Sequence, residues 1–579
     1  MAESKKETIV MFPFMGQGHI IPFLALSLQL EQRGFNIIFV NTPLNIKKLR
    51  QSIPPSSAIR LREIPFDSSG HPGLPPSAEN FDVLPYPLVI NGCGGFGLAC
   101  YYSTWLNLPH LKTDSPEFSL PDFPEAGKFH VTQLAASYLA ADGEDPWSIF
   151  QRENLSAWGF EKHRNLKKRG QGKGIYEEEV DGFRFIESSK SLKPHFTSLL
   201  HDLVHGGDRL LAVVADIFFG WSAEVAHELG LFHAIFSLSG GFALACYYST
   251  LLNLPHRKTD SPEFSLPDFP EAGKIHVTQL GASIMAADGS DSWSIFQREN
   301  LPAWSKSDGL LINTIAEFDE TGLAYFRRKL NRPVWAIGPI LLPAQARSGK
   351  QHDISLEKFI KWLDSKPPNS VLYISFGSMN TISASQMMQL AKALEQSTNT
   401  NFIWVVRPPL GFDIRGEFRA EEWLPEGFAE RVVETQNRGL VVSQWAPQLE
   451  ILSHESVGAF LTQCGGNSVL ESLSCGVPLI GWPLMAEQFF TAKFLVEEVG
   501  VCLEVARGSG SEVRCEDIVE KIEKVMMGME LRKRAGEVKE VIRNAVGSDE
   551  FMKGSSVKAM DDFLDAALLT KEKTELGSK

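Results

Sequence analysis

The sequence has few cysteines and fewer basic than acidic residues. Its 579 residues include seven cysteines, none in a CxxC pair, which favours a reducing compartment and offers no zinc site. The 56 Lys and Arg residues are outnumbered by 70 Asp and Glu residues, giving a net charge of −14. This charge argues against nucleic acid as the main partner, because phosphate binding requires a basic face.

Long apolar runs are also missing. No segment holds 18 uncharged apolar residues in succession, and the apolar run near the N-terminus is too short for a signal peptide and contains Pro13. The sequence therefore predicts a cytoplasmic protein without a membrane span. Its 43% hydrophobic and 22% charged residues are typical of a soluble globular protein, and its length predicts two domains.

An internal repeat interrupts the first half of the chain. Residues 93–158 recur at 239–304 with an offset of 146, and 55 of the 66 aligned positions are identical. Solenoid repeats are usually about 20–50 residues long and occur in several copies, so this is a partial duplication or an error in the gene model. The first copy continues into a charged, Gly-containing stretch, whereas the second continues into an apolar strand-like run. We therefore interpret residues 92–183 as an insertion and the second copy as the structural one.

Outside the insertion, apolar strand-like runs alternate with amphipathic helix-like stretches. "TIVMFPF" predicts a first strand, residues 15–22 a loop and residues 23–34 a helix, and a second such series begins at "SVLYISFGSM". This alternation predicts an α/β protein of two Rossmann-like, doubly wound domains that face a central cleft. The predicted segments are an N-terminal domain at 1–340, a linker at 341–354, a C-terminal domain at 355–545, and a C-terminal helix and tail at 546–579.

Residues that directly follow the strands are the first candidates for a site, because ligands of such sheets bind beyond the carboxyl ends of the strands. Gly16 and Gly18 resemble the start of a dinucleotide-binding loop, but Ile21 occupies the position of the third glycine. His19 stands there instead, and a lone histidine is more often structural than catalytic. Asp216 follows a later strand. If its carboxylate binds one ring nitrogen of His19, the other nitrogen becomes a general base for a hydroxyl.

A second Gly-rich break lies in "FLTQCGGNSVLESLSCG", residues 460–476, between a strand-like run and a helix predicted to start at Asn467. Such a break is either a tight turn that needs small residues or a backbone cradle for a phosphate.

The surrounding residues 445–488, "WAPQLEILSHESVGAFLTQCGGNSVLESLSCGVPLIGWPLMAEQ", resemble the 44-residue signature box of plant family-1 UDP-glycosyltransferases. The segments around His19 and Asp216 are similar to the catalytic histidine and aspartate segments of that family, and "SVLYISFGSM" is similar to its phosphate-loop strand. The resemblance implies the GT-B fold. It also implies inverting transfer of a sugar, expected to be glucose, from a UDP-sugar to a hydroxyl of a small lipophilic plant metabolite.

The resemblance assigns a role to each matching residue. His19 would take the acceptor proton and Asp216 would stabilise the resulting imidazolium, while Trp445 would stack on the uracil. The other UDP-sugar contacts would come from Ala446 and Gln448 at the uracil edge, Glu471 at the ribose, Ser378, Gln463, Gly466, Asn467 and Ser468 around the diphosphate, and Glu487 and Gln488 at the sugar. No metal and no further cofactor are expected, because the sequence shows no His/Cys/carboxylate cluster, and we expect a monomer.

Two residues depart from the pattern of the family: Gln463 replaces a histidine and Gly466 replaces a tryptophan. A neutral amide donates a weaker hydrogen bond than an imidazolium, which predicts donor binding or UDP departure reduced by about tenfold. Restoring both residues should then raise turnover. The alternative is a catalytically impaired UDP-sugar-binding pseudoenzyme or a gene-model artefact, because an insertion on the acceptor side could block the cleft. The resemblance implies that loops of the N-terminal domain, among which the insertion lies, select the acceptor.

Overall fold

A computed structural model describes residues 6–66, 79–80, 185–342 and 354–577, apart from 413, 415, 444, 509–510 and 549–551, together with two short strands at 117–119 and 128–130. The chain divides into two compact units, Met1–Pro85 with Gly182–Lys579, and Tyr86–Asp181. The predicted insertion at 92–183 and the predicted linker at 341–354 lie almost entirely outside the described residues. The domain boundaries therefore stay predictions.

The first half of the chain supplies eleven of the described strands. They are β1 (Thr8–Phe12), β2 (Asn36–Asn41), β3 (Arg60–Glu63), β4 (Glu117–Ser119), β5 (Lys128–His130), β6 (Leu210–Asp216), β7 (Phe232–Ser237), β8 (Glu263–Ser265), β9 (Lys274–His276), β10 (Gly309–Ile312) and β11 (Val334–Ala336). Its described α-helices are α1 (Gln17–Gln32), α2 (Pro43–Leu49), α3 (Leu192–His205), α4 (Ser222–Glu228), α5 (Gly241–Asn253), α6 (Ala282–Ala286), α7 (Ser292–Ala303) and α8 (Ala316–Leu330). Short 3-10 helices lie at Ser189–Ser191, Pro255–Arg257, Pro270–Ala272, Val277–Gln279 and Trp304–Lys306.

Within the described residues, the N-terminal sheet has seven parallel strands in the order β11-β10-β7-β6-β1-β2-β3. Strands β1, β6, β7 and β10 are largely apolar and are buried throughout, because helices cover both faces of a parallel sheet. The chain winds outward from β1 to β3 and then resumes on the other side of β1 at β6. Strands β1 and β6 therefore flank the topological switch point, where ligands of such sheets bind.

The second copy of the repeat, residues 239–304, forms α5, β8, β9, α6 and α7 of this half. Where the first copy differs, its residues suit these places poorly: the fully buried Ile284 corresponds to Tyr138, and Leu251, 2% exposed, corresponds to Trp105. Arg257 donates hydrogen bonds to the carbonyl oxygens of residues 285, 286 and 287, and the first copy has Leu111 in its place. At these three positions the second copy therefore fits the fold better than the first copy would.

The first copy lies in the smaller unit, where β4 and β5 are described. These two strands pair antiparallel in the register Glu117↔His130, and β8 and β9 pair in the same register, Glu263↔His276, at the offset of 146. Nearly identical sequences thus form the same hairpin in both units.

The second half of the chain builds the other sheet. Its described strands are β12 (Val371–Ser375), β13 (Asn401–Val406), β14 (Gly439–Ser443), β15 (Val457–Thr462), β16 (Leu479–Gly481) and β17 (Cys502–Glu504). Its described α-helices are α9 (Leu356–Asp364), α10 (Ala384–Gln396), α11 (Ala420–Trp423), α12 (Gln448–Leu452), α13 (Gly466–Cys475), α14 (Gln488–Phe494), α15 (Cys515–Met527), α16 (Met529–Val546) and α17 (Ser555–Gly577), with π-helical turns at Ala429–Thr435 and Leu495–Val499.

The described strands of this sheet are also parallel and run in the order β14-β13-β12-β15-β16-β17, so the switch point lies between β12 and β15. The loop after β12 carries Ser378, and the loop after β15 carries Gln463. Ser375 pairs with Thr462 at the ends of these strands, so the two loops emerge side by side. The predicted pair of doubly wound sheets is confirmed.

The C-terminal helix α17 returns to the N-terminal half. Met560, Phe563, Leu564 and Ala567 are buried in the same apolar cluster as the residues of β1, β2 and β7, and the Phe563 ring packs against Trp335 at a centroid distance of 5.7 Å. Arg33, which directly follows α1, forms an ion pair with Asp561. The last helix therefore joins the two halves of the larger unit.

Candidate active site

The carboxyl ends of the two sheets face a shared cleft of about 430 Å³, a size suited to a small-molecule ligand. Every predicted site residue lines this cleft except Asp216, which lies behind His19. The lining residues predicted from the sequence are His19, Ser378, Trp445, Ala446, Gln448, Gln463, Gly466, Asn467, Ser468, Glu471, Glu487 and Gln488.

His19 and Asp216 meet although 197 residues separate them. His19 lies in the first turn of α1, which begins at Gln17, so the predicted loop over 15–22 is wrong from Gln17 onward. The His19 Nδ1–H group donates to Asp216 Oδ2 at 2.7 Å, and the peptide N–H of Phe218 donates to Asp216 Oδ1 at 3.2 Å. Asp216 is fully buried, whereas His19 is 26% exposed. The carboxylate acceptor selects the tautomer in which Nε2 is the unprotonated nitrogen.

A hydrogen bond connects the start of α1 to the C-terminal half, at a carbonyl group that Pro22 leaves without a helical donor. Pro22 has no N–H group to donate to the carbonyl oxygen of Gly18, four residues earlier. That oxygen instead accepts a hydrogen bond from Asn467 Nδ2 at 3.3 Å. Among the described residues, the buried Asn467 Oδ1 has no hydrogen-bond partner, which is typical of an atom that meets a ligand.

Helix α13 begins at Gly466, with Gly465 as its N-cap, one residue before the predicted start at Asn467. The first peptide N–H groups of this helix are not used within it and lie at the cleft. Ser468 lies in the first turn, and its hydroxyl accepts a hydrogen bond from Gln448 Nε2 at 3.1 Å. Such a terminus attracts anions through its free N–H groups and its positive dipole end.

Gln448 is the centre of a polar network beside Trp445 and Ala446, which follow β14. Its Nε2 also donates to Glu471 Oε2 at 2.8 Å, and its Oε1 accepts from the Tyr373 hydroxyl at 3.3 Å. Burial raises the pKa of Tyr373, so the hydroxyl remains a donor. Sequence reasoning missed Tyr373, which reads as an ordinary core residue of β12.

Glu487 and Gln488 occupy the other end of the cleft. Ser239 of the N-terminal half donates to Glu487 Oε1 at 3.0 Å, so this carboxylate bridges the two halves. Gln488 Oε1 accepts the peptide N–H groups of Leu484 and Met485, both at 3.1 Å. These bonds orient the Gln488 side chain and shape the loop before α14.

The two departures from the family pattern have different surroundings. Gln463 is 6% exposed and its Oε1 accepts from Thr462 Oγ1, while its Nε2 lies 2.3 Å from the place of a Cβ atom on Gly377. Gly377 has a φ of +80°, so glycine is required there on two grounds. A Cβ atom on Gly466 would lie 2.7 Å from the Leu238 carbonyl oxygen across the cleft. Glycine at 466 thus permits a close approach of the two halves.

The lobe of the cleft beside His19 is apolar and aromatic. Phe14 and Phe218 pack around the His19 ring, with centroid distances of 5.4 and 5.6 Å. Further lining residues of this lobe are Ile186, Leu244, Tyr247, Ser283 and Trp293. Phe14 therefore lines this lobe, whereas its neighbour Met15 is buried in the core.

The start of α5 is held by Asp319 on α8. Its carboxylate accepts hydrogen bonds from the peptide N–H groups of Gly241 and Phe242 and from Thr314 Oγ1. Asp319 is fully buried, and burial raises its pKa to about 6. This capping interaction fixes the helix that carries Leu244 and Tyr247 into the aromatic lobe.

The described part of the chain contains no group of three His, Cys, Asp or Glu side chains placed to hold a metal ion. None of the helices in the same residues has the length and apolar character needed to cross a bilayer. The predicted cytoplasmic location and monomeric state stay predictions.

Comparison with known proteins agrees with this geometry. Residues 337–538 match the family model described as UDP-glucoronosyl and UDP-glucosyl transferase. UDP-glycosyltransferase 92A1 of Arabidopsis thaliana is 42% identical to this chain over 586 aligned residues, which cover 99% of each protein. The chain belongs to the plant UDP-glycosyltransferases. Crocetin glucosyltransferase 3 of Crocus sativus, another relative, is 36% identical with 89% of each chain covered.

A solved plant UDP-glycosyltransferase has the same fold. Glycyrrhiza uralensis UGT73P12, complexed with glycyrrhetinic acid 3-O-monoglucuronide, superposes with a TM-score of 0.69 at 25% identity and covers 99% of this chain and 98% of its own. The fold of this UDP-glycosyltransferase is therefore GT-B, with two Rossmann-like domains. As a member of the family it is a hexosyltransferase that uses a UDP-sugar as co-substrate and a small-molecule acceptor.

Proposed function

We propose that this UDP-glycosyltransferase transfers glucose from UDP-glucose to a hydroxyl of a small lipophilic plant metabolite, with inversion at the anomeric carbon. The observation that carries the proposal is the His19–Asp216 pair, bonded at 2.7 Å between an aromatic lobe and the residues of the signature box. An apolar lobe favours a lipophilic acceptor, and a histidine of fixed tautomer at its mouth is suited to deprotonate a hydroxyl.

The donor is bound by the C-terminal half. Trp445 stacks on the uracil, while Ala446 and Gln448 read its edge. Glu471 accepts hydrogen bonds from the ribose hydroxyls, and Gln448 orients it through the 2.8 Å bond. The diphosphate lies at the start of α13, where free peptide N–H groups, the Ser468 hydroxyl and the Asn467 side chain converge. Ser378 contributes a hydroxyl from the loop after β12.

The sugar lies between the two halves, beside Glu487 and Gln488. The carboxylate of Glu487 accepts hydrogen bonds from sugar hydroxyls. The side-chain oxygen Oε1 of Gln488 already accepts hydrogen bonds from two peptide N–H groups. The Nε2 amide group of this side chain is therefore the part that donates to the sugar. In the family that the signature box resembles, glutamine at the last box position is associated with glucose more than with galactose. Gln488 therefore favours UDP-glucose as the donor.

The chemical step is a direct displacement. His19 Nε2 removes the proton of the acceptor hydroxyl while the acceptor oxygen forms a bond to the anomeric carbon. The bond from this carbon to the UDP oxygen breaks on the opposite face, and UDP leaves with its negative charge facing the start of α13. The buried Asp216 carboxylate, hydrogen-bonded to Nδ1, stabilises the imidazolium of His19. His19 then releases the proton to solvent. Proton transfer of this kind contributes about 10²–10⁴ in rate.

The test is a UDP-release assay with UDP-glucose and a panel of phenolic and terpenoid alcohols. We expect turnover with at least one acceptor, and faster turnover with UDP-glucose than with UDP-galactose. His19→Ala should lower kcat by about 10²–10⁴. His195 lies exposed on α3 and outside the cleft lining, so His195→Ala is the matched control and should leave kcat unchanged.

The second candidate is a UDP-sugar-binding pseudoenzyme of reduced or absent activity, favoured by the replacements at Gln463 and Gly466. Calorimetric binding of UDP with no turnover on any acceptor would establish it and contradict the transferase proposal. Absence of residues 92–183 from the transcript would instead strengthen the enzyme interpretation.

A further inference from the structure

Basic side chains contribute to the lining of the cleft. Among the described residues that line the cleft, the Lys and Arg side chains are Lys48 and Arg407. Lys48 belongs to α2 of the N-terminal half and is exposed. Arg407 directly follows β13 of the C-terminal sheet and is half-buried. It therefore lies beside the strand whose loop carries Ser378 and the strand that precedes Trp445.

Arg407 contacts the loop after β12. Its Nε–H group donates to the carbonyl oxygen of Gly377 at 3.2 Å. Gly377 precedes Ser378, and its Cα packs against Gln463, since an added Cβ atom would lie 2.3 Å from Gln463 Nε2. Arg407, the backbone of Gly377 and the Gln463 side chain therefore form one packed group at the switch point between β12 and β15. A change in Arg407 would therefore act directly on the loop after β12 and, through Gly377, on Gln463 in the loop after β15.

The carboxylates of the cleft and the negative charge of a bound diphosphate together favour a positively charged side chain nearby. The cleft lining already contains the carboxylates of Glu471 and Glu487, and a diphosphate ester adds about two more negative charges. Gln463 is neutral at any pH. A diphosphate held in a partly buried cleft gains most from an ionised donor, because charge-assisted hydrogen bonds are about twice as strong as neutral ones.

We infer that Arg407 is a positioning residue for the nucleoside diphosphate, which both supplies positive charge opposite the phosphates and holds the Gly377 carbonyl so that Ser378 faces them. The inference rests on the proposed UDP-sugar donor. Arg407 then provides the positive charge opposite the diphosphate that the neutral Gln463 does not provide. Arginine suits both tasks, because its planar guanidinium carries a permanent charge together with several donors.

The experiment compares UDP with uridine, which lacks the phosphates, by calorimetric titration of the full chain. Arg407→Gln removes the charge but keeps an amide donor for the Gly377 carbonyl, whereas Arg407→Lys keeps the charge. We expect Arg407→Gln to weaken UDP binding by about tenfold while uridine binding changes less than about twofold, and Arg407→Lys to retain most of the UDP affinity. Arg514→Gln is the matched control, since Arg514 is a C-terminal-half arginine with 75% side-chain exposure, and it should bind both ligands as the parent does.

Two results would overturn the inference. Arg407→Gln binding UDP as tightly as the parent would show that the charge is not used. Equal losses for UDP and uridine, with a lower Tm, would show that Arg407 only stabilises the fold. A parent protein that binds neither ligand would contradict the proposed function itself, whereas a parent that binds UDP while Arg407→Gln is unaffected contradicts this inference alone.

Discussion

Substituting Gly466 by alanine or tryptophan is expected to lower turnover, in contrast to the gain that the family pattern suggests for tryptophan. A Cβ atom at this position would lie 2.7 Å from the carbonyl oxygen of Leu238, which belongs to the opposite half of the cleft. The obstacle is backbone, so it cannot move by rotating a side chain. The next residue, Ser239, donates to Glu487, so a displacement of this loop would also disturb the sugar end of the cleft.

The size of the effect follows from the overlap. A carbon–oxygen contact of 2.7 Å is too close by roughly 0.5 Å, and forcing extra atoms into a packed site costs about 1–3 kcal/mol. If the closed cleft is the reactive state, this cost raises the barrier and lowers kcat/KM by roughly 5-fold to 150-fold. Tryptophan adds a ring to the same Cβ atom, so its effect should be at least as large as that of alanine.

The assay is kcat/KM for UDP-glucose at saturating acceptor, measured for Gly466→Ala, Gly466→Trp and Gly536→Ala. Gly536 on α16 has no heavy atom within 4 Å of an added Cβ, so Gly536→Ala is a matched control and should keep full activity. Faster turnover of Gly466→Trp than of the parent, with Gly466→Ala unchanged, would refute the reasoning. That result would mean that the contact with Leu238 is absent from the reactive state.

Three further outcomes are expected. Gln463→His should tighten UDP binding by about tenfold, and the gain should be larger at pH 6 than at pH 8, because only the protonated ring donates a charge-assisted hydrogen bond. Calorimetric titration with UDP at both pH values checks this. Burial lowers the pKa of His233 to about 3, whereas the pKa in the unfolded chain is about 6.5. The neutral ring therefore contributes its full stabilisation above pH 6.5. Below pH 6.5 the unfolded state binds a proton that the folded state does not, and the free energy of unfolding falls by about 1.4 kcal/mol per pH unit. Urea unfolding from pH 7 to 5 should therefore show a shallower slope for His233→Gln. Ile284→Tyr, which copies the first repeat into the second, should cost about 1–3 kcal/mol in the same assay, whereas Ile295→Tyr at a 47% exposed position should cost little.

Much of this protein could be predicted from short-range patterns. Continuous apolar runs predicted β1 and β12 and the alternation of strands and helices, because parallel strands are buried on both faces and leave that signature locally. The signature box indicated ten of the cleft-lining residues, because they all lie within one contiguous segment, residues 445–488. Element boundaries were predicted less well: α1 begins inside the segment predicted to be a loop, although it contains Pro22. The carbonyl oxygen of Gly18, which Pro22 leaves without a helical donor, accepts its hydrogen bond from Asn467 in the other half of the chain.

What the sequence by itself determined is the class of fold and the kinds of residue available at the ends of its strands. Only the tertiary structure decided which of them meet: the order of the strands places His19 beside Asp216 across 197 residues, and Arg407 beside the loop of Gly377. The same holds for Gly466, whose constraint comes from a carbonyl oxygen in the other half. These outcomes depend on packing between distant segments, and no local pattern records the neighbours that a side chain will have once the two sheets face each other.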